Sequence, residues 1–156
     1  MAAQLISAQG DTPPDQYPVL PSGLYGVLDY LKQVYGNQPI YVHENGQRMR
    51  RNGTLNDTPR VEYLHAYIGS TLDAVRNGSN IKGYFAWTFL DCLELLDGYE
   101  SAFGFYYVDL DDRDLKRYQK LSARWYAKFL KGKITSNSII EVGKRTYVPL
   151  RSQFSQ

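Results

Sequence analysis

Ile40-Tyr-Val-His-Glu-Asn-Gly46 is a short β-branched and aromatic run that ends abruptly in a carboxylate and an Asn-Gly turn. It reads as a strand, Ile40–His43, with Glu44 on its last residues. The carboxyl ends of strands are where a (β/α)8 barrel places its catalytic groups. Glu44 is therefore the first candidate for chemistry.

Working outward, Leu24, Val27, Leu28, Leu31, Val34 and Tyr35 follow helical spacing on the N-terminal side. Ser22 suits an N-cap and Gly36 a C-terminal stop. On the other side a polar loop, Gln47–Asn56, leads to Thr58-Pro59, a cap followed by proline at the first helical position. Val61, Leu64, Ile68, Thr71, Leu72 and Val75 form one face of a second helix that stops near Gly78. Ile81–Trp87 reads as a second strand, apolar or aromatic after Lys82, as expected where both faces are buried. Thr88–Lys120 has no clean period, and Phe103–Val108 is expected to be a short hairpin strand before the turn Asp109–Asp114. Leu121, Trp125, Phe129 and Leu130 mark a last helix ending at Gly132.

Residues 1–17 read as a flexible leader and 133–156 as an irregular tail around a body at 18–132. Alternating helices and strands imply an α/β fold with parallel strands. Two strands alone leave sheet edges and apolar faces that need company.

Composition bounds the function classes. With 43% hydrophobic and 22% charged residues the chain reads as globular. A net charge of +2 is too small to argue for nucleic acid or an anionic membrane. One cysteine, Cys92, excludes an internal disulfide, and with only His43 and His65 beside it a structural zinc site is not expected. No apolar run approaches the ~20 residues a membrane span requires. No cofactor is called for. The start, Met1–Gly10, lacks the basic and apolar regions of a signal peptide. Asn52, Asn56 and Asn77 nevertheless stand in Asn-x-Ser/Thr triplets, potential glycan acceptors in a secretory setting.

Several ordered motifs carry a resemblance. Asn37-Gln-Pro-Ile-Tyr-Val-His-Glu-Asn-Gly46, Gly83-Tyr-Phe-Ala-Trp-Thr-Phe-Leu-Asp91, Glu94, Asp97-Gly-Tyr99, Phe103-Gly-Phe105 and Arg117-Tyr-Gln-Lys-Leu-Ser-Ala-Arg-Trp-Tyr126 together resemble family 1 glycoside hydrolases, plant β-glucosidases above all. The match spans about Pro18–Lys131 in the order of that family's C-terminal end. The resemblance implies a partial (β/α)8 barrel, its last two βα units preceded by a helix. It also implies retaining hydrolysis of β-linked glycosides in carbohydrate metabolism. The full-length proteins it resembles are often secreted, vacuolar or plastidial, while no address is assigned to this chain.

On that resemblance Glu44 falls on the catalytic nucleophile, which attacks the anomeric carbon to form a glycosyl-enzyme ester. Taken as a bare tripeptide, Glu-Asn-Gly is simply a strand ending in a polar turn. Trp87 and Glu94 are implied to line the glycone pocket, an indole against sugar CH patches and a carboxylate accepting hydroxyl protons. Without the resemblance they read as core filling and a solvated loop acid. Phe103 is implied to shape the same pocket, with ordinary packing as its plain alternative. Leu95 stands where the family usually has Trp, Ala102 where it often has Arg, and Gln119 where Pro is frequent. Arg48, Arg50 and Arg51 read as a solvated basic loop, His43 as a packed strand-end residue and Cys92 as a small buried hydrophobe. Asp109, Asp111, Asp112 and Asp114 lack the Gly and distal Glu of an EF-hand.

The family's general acid/base is a Glu in an Asn-Glu-Pro motif far ahead of the nucleophile, and no Asn-Glu-Pro occurs in this sequence. Retaining chemistry needs that second carboxyl ~5–5.5 Å from the first. The chain alone is therefore expected to be inactive, and a complementing or related barrel protein is the partner it would need. A non-catalytic remnant that binds sugar or such a barrel, and a truncated gene product, are the alternatives.

Overall fold

The computed structural model describes residues 18–52 and 54–133. The expected leader and all but the first residue of the expected tail lie outside the described residues. Among the described residues three helices, α1 (Pro21–Tyr35), α2 (Thr58–Arg76) and α3 (Leu121–Leu130), are interspersed with six strands. The strands are β1 (Ile40–Asn45), β2 (Met49–Arg50), β3 (Ile81–Ala86), β4 (Ser101–Ala102), β5 (Tyr106–Val108) and β6 (Arg117–Gln119). They fall into two compact units. Of the described residues, one unit holds 18–47 and Tyr63–Ala86; the other holds those of 48–62 and 87–133.

In the first unit β1 and β3 pair in parallel, the arrangement expected from the alternation. Helix α1 begins at Pro21 rather than being capped by Ser22. Proline's fixed φ suits a first turn and its missing N–H is not needed there. Leu20 is the flanking residue, and its N–H donates to the Tyr67 hydroxyl at 2.9 Å instead of to a side-chain cap. The helix ends as expected at Gly36, with φ 78°. Asn37 follows at φ 54°, a conformation asparagine tolerates better than most residues. Its amide donates to the Gly78 carbonyl at 3.0 Å and accepts the Asn80 N–H at 2.9 Å, which fixes the entries to both strands.

The two strands are not buried on both faces, contrary to the reading of Ile81–Trp87. Tyr41 and Phe85 are 53% and 55% exposed. On α1 only Leu28 is fully buried, and Val27, Val34 and Tyr35 face solvent. On α2, Val61, Leu64, Ile68 and Thr71 are buried as expected, but Leu72 and Val75 are not. The helical period is right in each case; the layers that would cover the outer positions are absent from the described residues.

The second unit is where sequence periodicity failed. Thr88–Lys120 contains three short strands: β4 pairs antiparallel with β2, and β5 with β6. The expected strand Phe103–Val108 shortens to Tyr106–Val108, and the Asp-rich turn closes its hairpin with β6. Asp112 in that turn pairs with Lys116 at 2.8 Å. Helix α3 packs by Tyr126 stacked on Phe105 at a centroid distance of 5.1 Å, and along the helix itself Trp125 stacks on Phe129 at 5.7 Å.

Four buried charges organise this unit. Arg60 faces Asp57 at 3.1 Å and donates to the carbonyls of Ala102 and Gly104 at 2.7 and 2.8 Å, and also to that of Phe103. Asp57 accepts the Ser122 N–H and hydroxyl at 2.8 and 2.6 Å, joining the start of α2 to the start of α3. Lys120 pairs with Asp91 at 2.8 Å, and Asp91 accepts the Gly104 N–H at 2.8 Å. Burial raises the Asp57 carboxyl and lowers the Arg60 guanidinium, against their mutual attraction. Desolvation thus outweighs the pairing energy, the usual balance for buried ions. Gly104 is obligatory here: a Cβ would lie 2.2 Å from the Asp91 nitrogen.

Candidate active site

Glu44 stands near the C-terminal end of β1, in the first unit. The pairing Val42–Tyr84 is followed by Asn45–Ala86, so three steps on β1 answer two on β3. The irregularity covers His43 and Glu44, and both are exposed where alternation would hide one of them. A bulge re-aims side chains, and bulges are frequent beside active sites. Gly83 lets the strands approach here: a Cβ on it would sit 2.9 Å from the Tyr41 ring.

Beside Glu44, Asn45 accepts the Tyr84 hydroxyl at 2.6 Å. Tyr63 also hydrogen-bonds Asn45 and stacks on Tyr67 at 4.2 Å between centroids. Burial, then Tyr67, pushes the Tyr63 hydroxyl well above its usual range, so it remains a neutral donor. His43 makes edge contacts with Tyr41 and Phe85 at 6.3 and 6.2 Å, yet it is exposed rather than packed under other chain.

In the second unit the structure brings Trp87 and Glu94 together. The Trp87 indole Nε1 donates to Glu94 Oε1 at 3.3 Å, and the peptide joining Trp87 to Thr88 is cis. The Cys92 thiol reaches the same oxygen, Sγ to Oε1 at 3.6 Å. Cys92 is thus half-buried and engaged with a carboxylate rather than a buried apolar filler. Burial, followed by the charge of Glu94, raises its thiol pKa and keeps it protonated. Glu94 sits on a five-residue turn closed by reciprocal bonds with Gly98, each N–H to the other's carbonyl at 2.8 Å.

Phe103 is half-buried, and its carbonyl accepts the Thr88 N–H at 3.3 Å while Phe105 donates to the Thr88 carbonyl at 2.9 Å. The chain around Phe103 therefore runs beside the residue that follows Trp87.

Of the basic residues after Glu44, Arg50 is exposed, but Arg48 and Arg51 are part-buried and engaged rather than solvated. Arg48 bonds Asp97 and Ser101, both at 2.7 Å. Arg51 lies over the Tyr107 ring at 5.0 Å and donates to the Val108 carbonyl at 2.8 Å. The sequence reading also missed the Asp57–Arg60–Asp91–Lys120 group. One signal was available, since Arg60 directly precedes the buried Val61 in the first turn of α2.

Comparison with known proteins shows the family of the chain. The model for the family described as Glycosyl hydrolase family 1 matches residues 7–134. Beta-glucosidase 22 of Oryza sativa subsp. japonica is 50% identical over 144 residues, covering 88% of this chain and 27% of that protein. A cyanidin 3-O-glucoside 5-O-glucosyltransferase (acyl-glucose) of Dianthus caryophyllus is 53% identical over 120 residues, covering 74% and 24%. A Thermotoga maritima β-glucosidase in complex with deoxynojirimycin superposes with a TM-score of 0.73 at 33% identity, covering 82% of this chain and 30% of that one. The chain thus spans about a quarter of the length of the curated relatives it matches. With its family matched across most of the sequence, this chain belongs to glycosyl hydrolase family 1.

Proposed function

We propose that residues 18–132 form the C-terminal part of a (β/α)8 barrel, its last two βα units preceded by a helix, that hydrolyses β-linked glucosides with retention. Glu44 is the nucleophile, and Trp87, Glu94 and Phe103 hold the glycone. The observation that carries this reading is the irregularity at His43–Glu44, which leaves a carboxylate exposed near the end of a parallel strand. The Trp87–Glu94 pair supports it, because an indole face and a carboxylate are the groups a pyranose requires.

In the first step a Glu44 oxygen bonds the anomeric carbon as the bond to the leaving oxygen breaks. Water then attacks that carbon and Glu44 departs as carboxylate. The leaving oxygen needs a proton from a second carboxyl group, and no Asn-Glu-Pro is present to supply one. Aryl glucosides with acidic leaving groups need no such proton. The chain is expected to release dinitrophenol from a β-glucoside while leaving alkyl glucosides untouched, since general acid help is worth roughly 10²–10⁴-fold. Glu44→Gln abolishes that release. Equal turnover of both substrates, or full activity of Glu44→Gln, would contradict the proposal.

The Dianthus relative supports a second reading of the same intermediate. Its name describes an acyl-glucose glucosyltransferase. In the corresponding reading of this chain an acceptor hydroxyl replaces water in the second step. Transfer of glucose to added methanol, scored against hydrolysis, separates the two outcomes.

A further inference from the structure

Leu95 and Leu96, at the tip of the turn that carries Glu94, are 101% and 89% exposed. Apolar packing therefore does not fix this turn. Gly98 closes it in the left-handed region, at φ 59°, and Asp97 alone of the three tip residues makes side-chain bonds. Asp97 Oδ2 accepts the Arg48 Nε–H at 2.7 Å and the Ser101 hydroxyl at 2.5 Å, while Arg48 Nε also meets the Ser101 oxygen at 2.7 Å. The base of this clamp is rigid. Ser101 is 1% exposed, and β4 pairs with β2 through Arg50–Ser101 and Met49–Ala102. The next residue, Arg51, extends the ladder by donating its N–H to the Glu100 carbonyl at 2.9 Å.

We propose that Arg48, Asp97 and Ser101 are positioning residues that hold the Glu94–Gly98 turn against the β2–β4 ladder and so set the Glu94 carboxylate where Trp87 meets it. The three touch neither sugar nor reacting atoms; they act through Glu94. The Asp97 carboxyl is held below its usual range, first by the Ser101 hydroxyl and then by Arg48, which keeps it an acceptor. The functional consequence, ordered capture of glycone hydroxyls by Glu94, rests on the site reading above.

The test uses the full chain and the two indole N–H resonances of Trp87 and Trp125, assigned with Trp87→Phe. Glu94→Gln defines the Trp87 position when the carboxylate is lost. Arg48→Gln and Asp97→Ala are expected to move the Trp87 resonance to that same position and leave Trp125 in place. Arg48→Lys, which keeps a cation, retains most of the wild-type shift. An unmoved Trp87 resonance in Arg48→Gln and Asp97→Ala overturns the proposal. Movement of Trp125 as well overturns it too, because the residues would then support the whole unit rather than this turn. In dinitrophenyl glucoside hydrolysis the same variants raise KM with kcat held. A chain with no hydrolysis but the expected indole shifts refutes the site reading and leaves the clamp standing.

Discussion

Replacing Arg60 by Met removes the guanidinium that ties three consecutive carbonyls, Ala102, Phe103 and Gly104, to Asp57. Arg60 is 2% exposed and Asp57 1%, so solvent cannot take over either role. The substitution leaves a buried carboxylate without its adjacent cation and takes the Arg60 donors from three carbonyls, of which that of Phe103 keeps the Thr88 N–H. Breaking one partner of a buried pair costs about 3–5 kcal/mol, and the lost carbonyl bonds place this site at the upper end. Arg60→Lys keeps the charge but replaces a five-donor fork with one compact head, which cannot span Asp57 and three carbonyls together. It should lose about half as much. Urea unfolding followed by circular dichroism measures both, with free energies taken from the midpoints at constant slope. A loss below about 1 kcal/mol for Arg60→Met, or an Arg60→Lys protein equal to wild type, would refute the claim that this group organises the second unit.

Two glycines make opposite predictions. Gly104→Ala forces a methyl within 2.2 Å of the Asp91 nitrogen and 2.4 Å of the Leu90 carbonyl carbon, so circular dichroism should show an unfolded or aggregated second unit. Gly83→Ala meets only the half-exposed Tyr41 and Phe85 rings, which can swing aside, and should keep the midpoint within about 1 kcal/mol. The Asp97 carboxyl titrates below its ordinary 3.8 in the folded chain. Its contribution to stability is therefore present above pH 3.8 and lost as pH falls through the lower folded value. The stability difference between wild type and Asp97→Asn should be constant near neutrality and shrink below pH 3.8. A difference that stays flat to pH 2 contradicts the clamp's electrostatics.

The legible parts of this chain were those with a period. Helices α1, α2 and α3 and the parallel strands β1 and β3 follow from apolar spacing and from Gly36, Pro59 and Gly78 as punctuation. Helix α1 starts two residues early because Pro21 supplies the helical φ without needing a side-chain cap. Strands β2, β4 and β6 stayed hidden, since two or three residues carry no alternation and are fixed by partners far away in sequence. The buried charges were hidden for a related reason. Arg60 and Lys120 look like surface residues until Asp57 and Asp91 come to meet them. Of the candidate site, the place of Glu44 near the end of β1 was readable from the strand-and-turn pattern. The Trp87–Glu94 contact needed the resemblance to propose both residues and the folded Glu94–Gly98 turn to bring them together. Cys92 was misread because nothing local announces that its thiol points at that same oxygen.

Covalent trapping addresses the account's central claim most directly. A 2-deoxy-2-fluoroglucoside with a dinitrophenolate leaving group forms the glycosyl ester without acid help and slows its breakdown. After incubation with the full chain, peptide mass mapping should place one fluoroglucosyl group on Glu44 and none on Glu44→Gln. A label on another carboxylate, or no label with an added N-terminal portion of a family 1 barrel present, would contradict the assignment of Glu44 as nucleophile.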